Sequence, residues 1–258
     1  MVPEKRALVT GAGAGLGRVV AVELGKRGFS VAIVDIDAKG LEATAALIQG
    51  VGAISMPMVV DLTSENAAMS CVHGPVKSWG GLDVLVNNAG FGGIEPFFEM
   101  TERLWHKTLS INVIALAMLT AACGNVMKRQ RSGRIVNITS PASRMALPNY
   151  AAYAASKAAV DSITRAAAIA LAPFGVTVNS VAPGMMDTEM QRLTEAELAR
   201  IEGRNDVDAF LAERTRRVPL GRRAEIGEVA ATVLWLAADA PSYVTAERLN
   251  ASGGLDRD

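Results

Sequence analysis

"VTGAGAGLG" (9–17) is the stretch that decides the fold. It follows "RALVTG" (6–11), a short apolar run that reads as a buried strand. It opens "GRVVAVELGKRG" (17–28), whose apolar residues recur at helical spacing as far as a terminating Gly28. Gly11, Gly15 and Gly17 allow a tight turn and close backbone approach by a ligand. The helix start then offers unpaired N–H groups and a positive dipole end to a pyrophosphate. A glycine-rich turn alone is a weak signal. With a strand before it and a helix after it, it marks a dinucleotide site.

Outward from this unit the pattern repeats. "SVAIVD" (30–35) reads as a second strand and 38–49 as a second helix. "AISMPMVVD" (53–61) is a third strand, placed at an edge by Pro57. A helix runs to about Trp79, and "LDVLVN" (82–87) is a fourth strand. A long helix covers about 101–127, and "GRIVNITS" (133–140) is a fifth strand. A further helix ends near Pro173, and "VTVNSVAP" (176–183) is a sixth strand. "EIGEVAATVLWLAAD" (225–239) is a helix and "VTAERLN" (244–250) a last strand. Strands apolar on both faces, alternating with helices, imply a parallel sheet covered on both sides. Right-handed crossovers make it doubly wound. The expected fold class is therefore α/β: a single doubly wound Rossmann-type domain over 1–258, with a seven-stranded parallel sheet and helices on both faces. Within it, 185–217 should form a helical lid over a substrate, with "GRND" as the joint between two helices.

Half of the 258 residues are hydrophobic, and the formal net charge is zero. That leaves no basic field for nucleic acid or an anionic membrane. The apolar runs fall short of the ~18 residues of a membrane span, and "MVPEKRALVT" lacks a signal-peptide core. Cys71 and Cys123 have no metal-ligand spacing and read as small buried hydrophobes in a reducing compartment. His73 and His106 stand apart from any partner ligand, so no metal is expected. The expectation is a cytoplasmic protein acting on a small molecule, with no nucleic-acid or membrane partner.

Asp35 closes the second strand, eighteen residues after Gly17. A carboxylate there can accept from a ribose 2′-hydroxyl and would repel a 2′-phosphate. Asp37 lies nearer the next helix and is the better cap for it. Ile36 and Ala14 offer no cation, so NAD is expected over NADP. Arg18 could reach the pyrophosphate or solvent. Asp61, ending the third strand, could accept from the adenine amino group. "NNAG" (87–90) ends the fourth strand. Finally, "NYAAYAASKAAV" (149–160) is an alanine-rich helix carrying a phenol at Tyr153 and an ammonium at Lys157. An offset of four puts both on one face. The cation should lower the phenol's pKa, as a proton-transfer catalyst requires.

Together these segments resemble the short-chain dehydrogenase/reductase family over nearly the whole chain. "TGAGAGLG" resembles its T-G-x-x-x-G-x-G cofactor motif, "NNAG" matches unchanged, and "YAASK" (153–157) matches Y-x-x-x-K. Ser140 lies thirteen residues before Tyr153, where the family keeps its catalytic serine. "SINV" (110–113) resembles the segment of the catalytic asparagine, here Asn112. "VNSVAPG" (178–184) resembles the segment beside the nicotinamide. One departure is "NASGG" (250–254), where relatives often carry an acidic residue before the glycines.

The resemblance implies an oxidoreductase in which Tyr153 is the general acid/base and Lys157 also holds the nicotinamide ribose. Ser140 would bond the reacting oxygen, and Asn112 would anchor a relay water. The cofactor contacts would come from Gly11, Gly15, Leu16 and Gly17, then Asp35, Asp61 and Leu62, then Asn88, Ala89 and Gly90. Tyr153, Lys157, Pro183, Gly184, Met186 and Thr188 would complete them, with Thr188 on the carboxamide. Ser140, Ala142, Tyr153 and Met185 would meet the substrate, with Ser143, Phe91, Gly92, Tyr150, Gly184 and Met190 as further lining. The lid's length and "VPLGR" look most like members acting on sugar alcohols and small diols. A 3-oxoacyl-thioester reductase is the alternative, and a non-catalytic nucleotide sensor on the same fold is a third reading. The apolar surfaces of the helices at 101–127 and 150–172 lead to an expected homotetramer or dimer.

Overall fold

The computed structural model describes residues 5–255. The expected unit runs to 1 and 258, and residues 1–4 and 256–258 lie outside the described ones. The strands are β1 (Arg6–Thr10), β2 (Ser30–Asp35), β3 (Ser55–Val59), β4 (Val84–Asn87), β5 (Gly133–Ile138), β6 (Val176–Pro183) and β7 (Arg248–Ala251). They form one seven-stranded sheet in the order β3-β2-β1-β4-β5-β6-β7. Every pairing is parallel. The order reverses between β1 and β4, which opens a crevice at their carboxyl ends.

Two apolar layers explain why the strands read as continuous hydrophobic runs. On one face, Val9, Val31, Ile33 and Val86 pack against α1 (Gly15–Lys26), α2 (Ala38–Gly50) and α9 (Ile226–Leu234). On the other, Leu8, Val34, Leu85 and Ile135 pack against α3 (Ala67–Trp79), α5 (Leu116–Gln130) and α6 (Ala151–Leu171). Alternate residues of each strand thus enter different layers. Pro57 lies in β3, the edge strand beside β2, where its missing N–H leaves the sheet intact.

Three boundaries differ from the sequence reading. The long helix is interrupted: α4 (Glu102–Leu109) passes through a π-helical segment, Ser110–Ala115, into α5. A π-segment inserts an extra residue into a turn, which a 3.6-residue period does not reveal. Glu102–Gln130 contains an 18-residue window apolar enough by composition to cross a membrane, with a mean hydropathy of 1.8. Here it packs on the sheet and beside α3 and α6. The last strand starts at Arg248, after Ala246 adopts a left-handed φ of 65° that breaks the extended run. β3 is likewise confined to Ser55–Val59. The helical segment after β6 comprises α7 (Glu189–Ile201) and α8 (Val207–Arg216), joined through "GRND" as expected.

Candidate active site

The glycine turn sits in the crevice between β1 and β4. Gly11 and Gly15 take φ of +63° and +53°, which side-chain-bearing residues rarely adopt. At Gly17 the constraint is space: a Cβ would overlap the Gly11 carbonyl oxygen. No side chain caps the start of α1 at Ala14. Its first N–H groups are therefore left for an anion. This is the cradle a pyrophosphate needs.

The segment after β4 is sewn to that turn. Thr10 Oγ1 accepts from the Asn88 and Ala89 N–H groups at 3.1 and 3.0 Å. Asn88 Nδ2 donates back to the Thr10 and Gly11 carbonyls at 3.0 and 3.1 Å. Asn87 points the other way. It donates to Thr120 and to Asn137, and Asn137 donates to Thr164, all at 2.9 Å. This buried ladder fixes β4 and β5 to α5 and α6. Thr10 and the ladder were not apparent from the sequence, because their partners lie far along the chain.

Asp35 is held by both oxygens. Oδ2 accepts from Gly13 N at 2.8 Å and Oδ1 from Asp37 N at 3.1 Å. Asp37 caps α2 through Lys39 N, as expected. Ile36 is 70% exposed and uncharged. Arg18 is half-buried; it donates to Thr44 Oγ1 at 3.0 Å and to the Gly13 carbonyl, tying the glycine turn to α2. Asp61 Oδ1 accepts from the Thr63 hydroxyl at 2.7 Å and the Thr63 N–H at 2.9 Å, which holds its carboxyl below the usual range. Leu62 packs beneath it against the second apolar layer.

Tyr153 and Lys157 share a face of α6, with Lys157 Nζ 5.7 Å from the Tyr153 ring centroid. Nζ donates to the Ile138 carbonyl at the end of β5, at 2.9 Å. Ser140, just after β5, caps the short turn Pro141–Arg144 by accepting from Ala142 N at 3.2 Å. Burial pushes the Tyr153 phenol's pKa upward, against the lowering pull of the neighbouring Ser140. The expected lowering by Lys157 is thus corrected: its Nζ is turned to a carbonyl, and desolvation dominates at the phenol. Burial likewise pushes the Lys157 ammonium down to about 8, against the raising pull of Asp161.

Asn112 lies in the π-segment and is buried. Its Oδ1 accepts from Phe91 N at 2.7 Å, and its Nδ2 donates to Phe91 O and Ser156 Oγ at 2.9 and 3.0 Å. Asn112 Oδ1 and Lys157 Nζ both border Gly90, 3.5 and 3.6 Å from where a Cβ would lie.

The segment after β6 runs past the glycine turn and Gly92. Pro183 is buried in β6, and Gly184 N donates to the Ala251 carbonyl at 2.9 Å. Met185 is buried and accepts at its carbonyl from Ala224 N, while Met186 forms a bridge with Ala224. Thr188 caps α7 through Gln191 N at 3.2 Å, and its methyl would be 3.9 Å from a Cβ on Gly15. Met190 and Thr194 of α7 face Gly92. Buried Glu195 fastens α7 to Arg223 at 2.9 Å and to Arg214 of α8 at 3.4 Å. Burial shifts the Tyr150 phenol upward, against the lowering pull of the Arg214 charge. Ala142 is buried, and Ser143, an expected lining residue, is turned inward to Asp161. Phe91 carries Lys107 Nζ over its ring at 4.2 Å. Among the described residues no cluster could hold a metal ion, and Cys71 and Cys123 are free thiols in the core.

A family model described as enoyl-(acyl carrier protein) reductase matches residues 11–256. The chain is 34% identical to L-2,3-butanediol dehydrogenase of Corynebacterium glutamicum over 97% of this chain and 98% of that protein. It superposes on an NAD+-bound xylitol dehydrogenase with a TM-score of 0.92 at 32% identity, covering 98% of this chain and 99% of the other. For a single-residue variant of actinorhodin polyketide ketoreductase with NADPH, the TM-score is 0.93 at 33% identity, with 98% of each chain covered. With the glycine cradle, the Tyr153–Lys157 pair and these similarities agreeing, the chain belongs to the short-chain dehydrogenase/reductase family, oxidoreductases of alcohol and ketone groups.

Proposed function

We propose that the protein is an NAD-dependent dehydrogenase of secondary alcohols, with sugar alcohols and small diols as its substrate class. The observation that carries the chemistry is the meeting of Lys157 and Asn112 beside Gly90, with Tyr153 one turn from Lys157 on α6 and its ring centroid 5.7 Å from Lys157 Nζ. Similarity to butanediol and xylitol dehydrogenases supports the substrate class. The nicotinamide would supply the hydride acceptor. The glycine turn and the start of α1 would hold the pyrophosphate, and Asp35 the adenosine ribose. Asp61 and Leu62 would border the adenine. Asn88, Ala89, Gly90 and Lys157 would hold the nicotinamide ribose, with Pro183, Gly184, Met186 and Thr188 beside the ring.

Ser140 fixes the carbinol oxygen, with Ala142 and Met185 beside it, and Tyr153 takes the carbinol proton in oxidation and returns it in reduction. Lys157 stabilises the phenolate when it forms. The amide of Asn112 is spent on Phe91 and Ser156, so a relay water would be held by the backbone of the π-segment. The helices α7 and α8 act as the lid within one domain, their closed position set by Glu195 and by the Thr194 contact to Gly92.

The test is a screen for NAD reduction over xylitol, galactitol, 2,3-butanediol and 3-hydroxybutyryl-CoA. Turnover of a polyol or diol supports the reading. Turnover of the thioester alone would favour an oxoacyl-thioester reductase, which similarity to the NADPH-bound ketoreductase keeps as the second reading. Nucleotide binding without any turnover would mark a sensor instead.

Protonation gives a further expected result. Ketone reduction needs a protonated Tyr153 and a charged Lys157. Burial raises Tyr153, so its proton is retained, while Lys157 titrates at about 8. The rate of acetoin reduction should hold below that pH and fall as pH rises through it. A rate still climbing at about pH 10 would contradict this assignment of charges.

The same reading includes assembly and location. Ile114 and Met118, an i,i+4 pair, are each 55% exposed and Ile169 is 72% exposed, on helices that resemblance places at a two-fold contact. We infer a homotetramer, or at least a dimer, in the cytoplasm, where Cys71 and Cys123 stay reduced. Light scattering should give about four times the 27.0 kDa chain mass. A monomer at micromolar concentration would refute the assembly.

A further inference from the structure

Behind Ser140 lies a buried ion pair whose carboxylate also raises the Lys157 pKa through its charge. Asp161 stands on α6 one turn beyond Lys157, and Arg248 on β7, with side chains 8% and 7% exposed. Arg248 Nε lies 3.3 Å from Asp161 Oδ2. Ser143 Oγ donates to the same carboxylate oxygen at 2.7 Å. Arg248 Nη2 donates to the Ser140 carbonyl at 3.0 Å and lies 3.4 Å from Ser143 Oγ. Nη1 donates to Asn250 on its own strand. One guanidinium therefore joins three elements: the edge strand, the helix of Tyr153 and Lys157, and the turn that carries Ser140.

We propose that Arg248 and Asp161 are positioning residues that fix the Ser140 turn against α6, the helix of Tyr153. The proposal rests on the reading of Ser140 and Tyr153 as the pair that meets the reacting oxygen. Ser140 is extended, with φ −163° and ψ 152°, and the turn after it spans only Pro141–Arg144. Thr139 Oγ1 donates to the Lys157 carbonyl at 3.1 Å and ties the strand end before Ser140 to α6. Beyond Ser140 the fork of Arg248 adds a second tie, because one planar group bonds the Ser140 backbone while facing the carboxylate of α6. Stability alone does not account for such a pair, since apolar residues of similar volume serve as well or better in a buried site. A lysine would preserve the charge but offers one point donor in place of the fork.

The experiment uses the full chain with Arg248→Met, Arg248→Lys, Ser143→Ala and Ser140→Ala. It measures kcat and KM with the alcohol that reacts fastest in the screen, NAD affinity by fluorescence, and the fraction folded. Misplacing a reacting group by about 1 Å can cost ~10²-fold, so Arg248→Met should lower kcat at least ~30-fold, with NAD affinity within about twofold of the parent. Arg248→Lys should recover only part of that loss, and added methylguanidinium should rescue Arg248→Met. Ser143→Ala removes no charge and should lower kcat by about threefold to tenfold. If Arg248→Met does not fold, Ser143→Ala decides the matter. The proposal is overturned if Ser143→Ala keeps kcat within about twofold, or if any loss in Arg248→Met equals its loss of folded protein. Ser140→Ala separates the levels. Full activity there overturns the reading of the site and the proposal with it, whereas an inactive Ser140→Ala beside active Arg248 and Ser143 variants overturns the proposal alone.

Discussion

Tyr153→Phe is expected to bind NAD as the parent does and to turn over at least ~10²-fold more slowly. The substitution removes one oxygen. The ring keeps its edge contact with Tyr150, whose centroid is 6.4 Å away. Gly90 and Lys157 keep their places, so the cofactor cradle is unchanged. What disappears is the hydroxyl beside Ser140, the group proposed to accept the carbinol proton. A ~10²-fold loss corresponds to about 2.7 kcal/mol of transition-state stabilisation, within the range of general acid–base catalysis. Near-normal turnover by the phenylalanine variant would remove Tyr153 from the mechanism.

Asp35 should give a preference for NAD over NADP of roughly 30- to 150-fold, the equivalent of ~2–3 kcal/mol. Its carboxylate is fixed by Gly13 N and Asp37 N, at the mouth of the glycine turn. A 2′-phosphate there would bring up to two negative charges against it. Arg18, a cation nearby in sequence that could soften the clash, donates to Thr44 and to the Gly13 carbonyl. Ile36 and Ala14 add none, and the Lys39 side chain is exposed at the start of α2. Asp35→Ala combined with Ile36→Arg should lose NAD affinity and shift preference towards NADP. Comparable kcat/KM for the two nucleotides in the parent at low salt, where repulsion is least screened, would end this reading of Asp35.

The sheet was legible because its strands bury both faces, so Val31–Val34 and Val84–Val86 read as apolar runs with no exposed side. The glycine turn was legible because it needs backbone freedom at Gly11 and Gly15 and space at Gly17, and only glycine provides both. What stayed hidden depends on side-chain direction or on distant partners. Spacing put Lys157 on the face of Tyr153, but it could not say that Nζ bonds Ile138 or that burial outweighs the charge at the phenol. Asn112 was placed, while the use of its amide on Phe91 and Ser156 was not. Asp161, Arg248 and Ser143 carry no local motif. Only the folding of β7 beside β6 brings Arg248 to the Ser140 turn.

The central claim is that this chain moves a carbinol hydrogen to a nicotinamide through a site organised by Tyr153. The most direct measurement uses 2,3-butanediol deuterated at both carbinol carbons, or the correspondingly deuterated polyol if the screen selects one. After reaction with NAD, the mass of the reduced nucleotide is read. The account predicts one deuterium in each NADH formed, one ketone per NADH, and neither product from Tyr153→Phe at a comparable rate. NADH without the label, or no NADH from any alcohol of the panel while NAD binds, would contradict it.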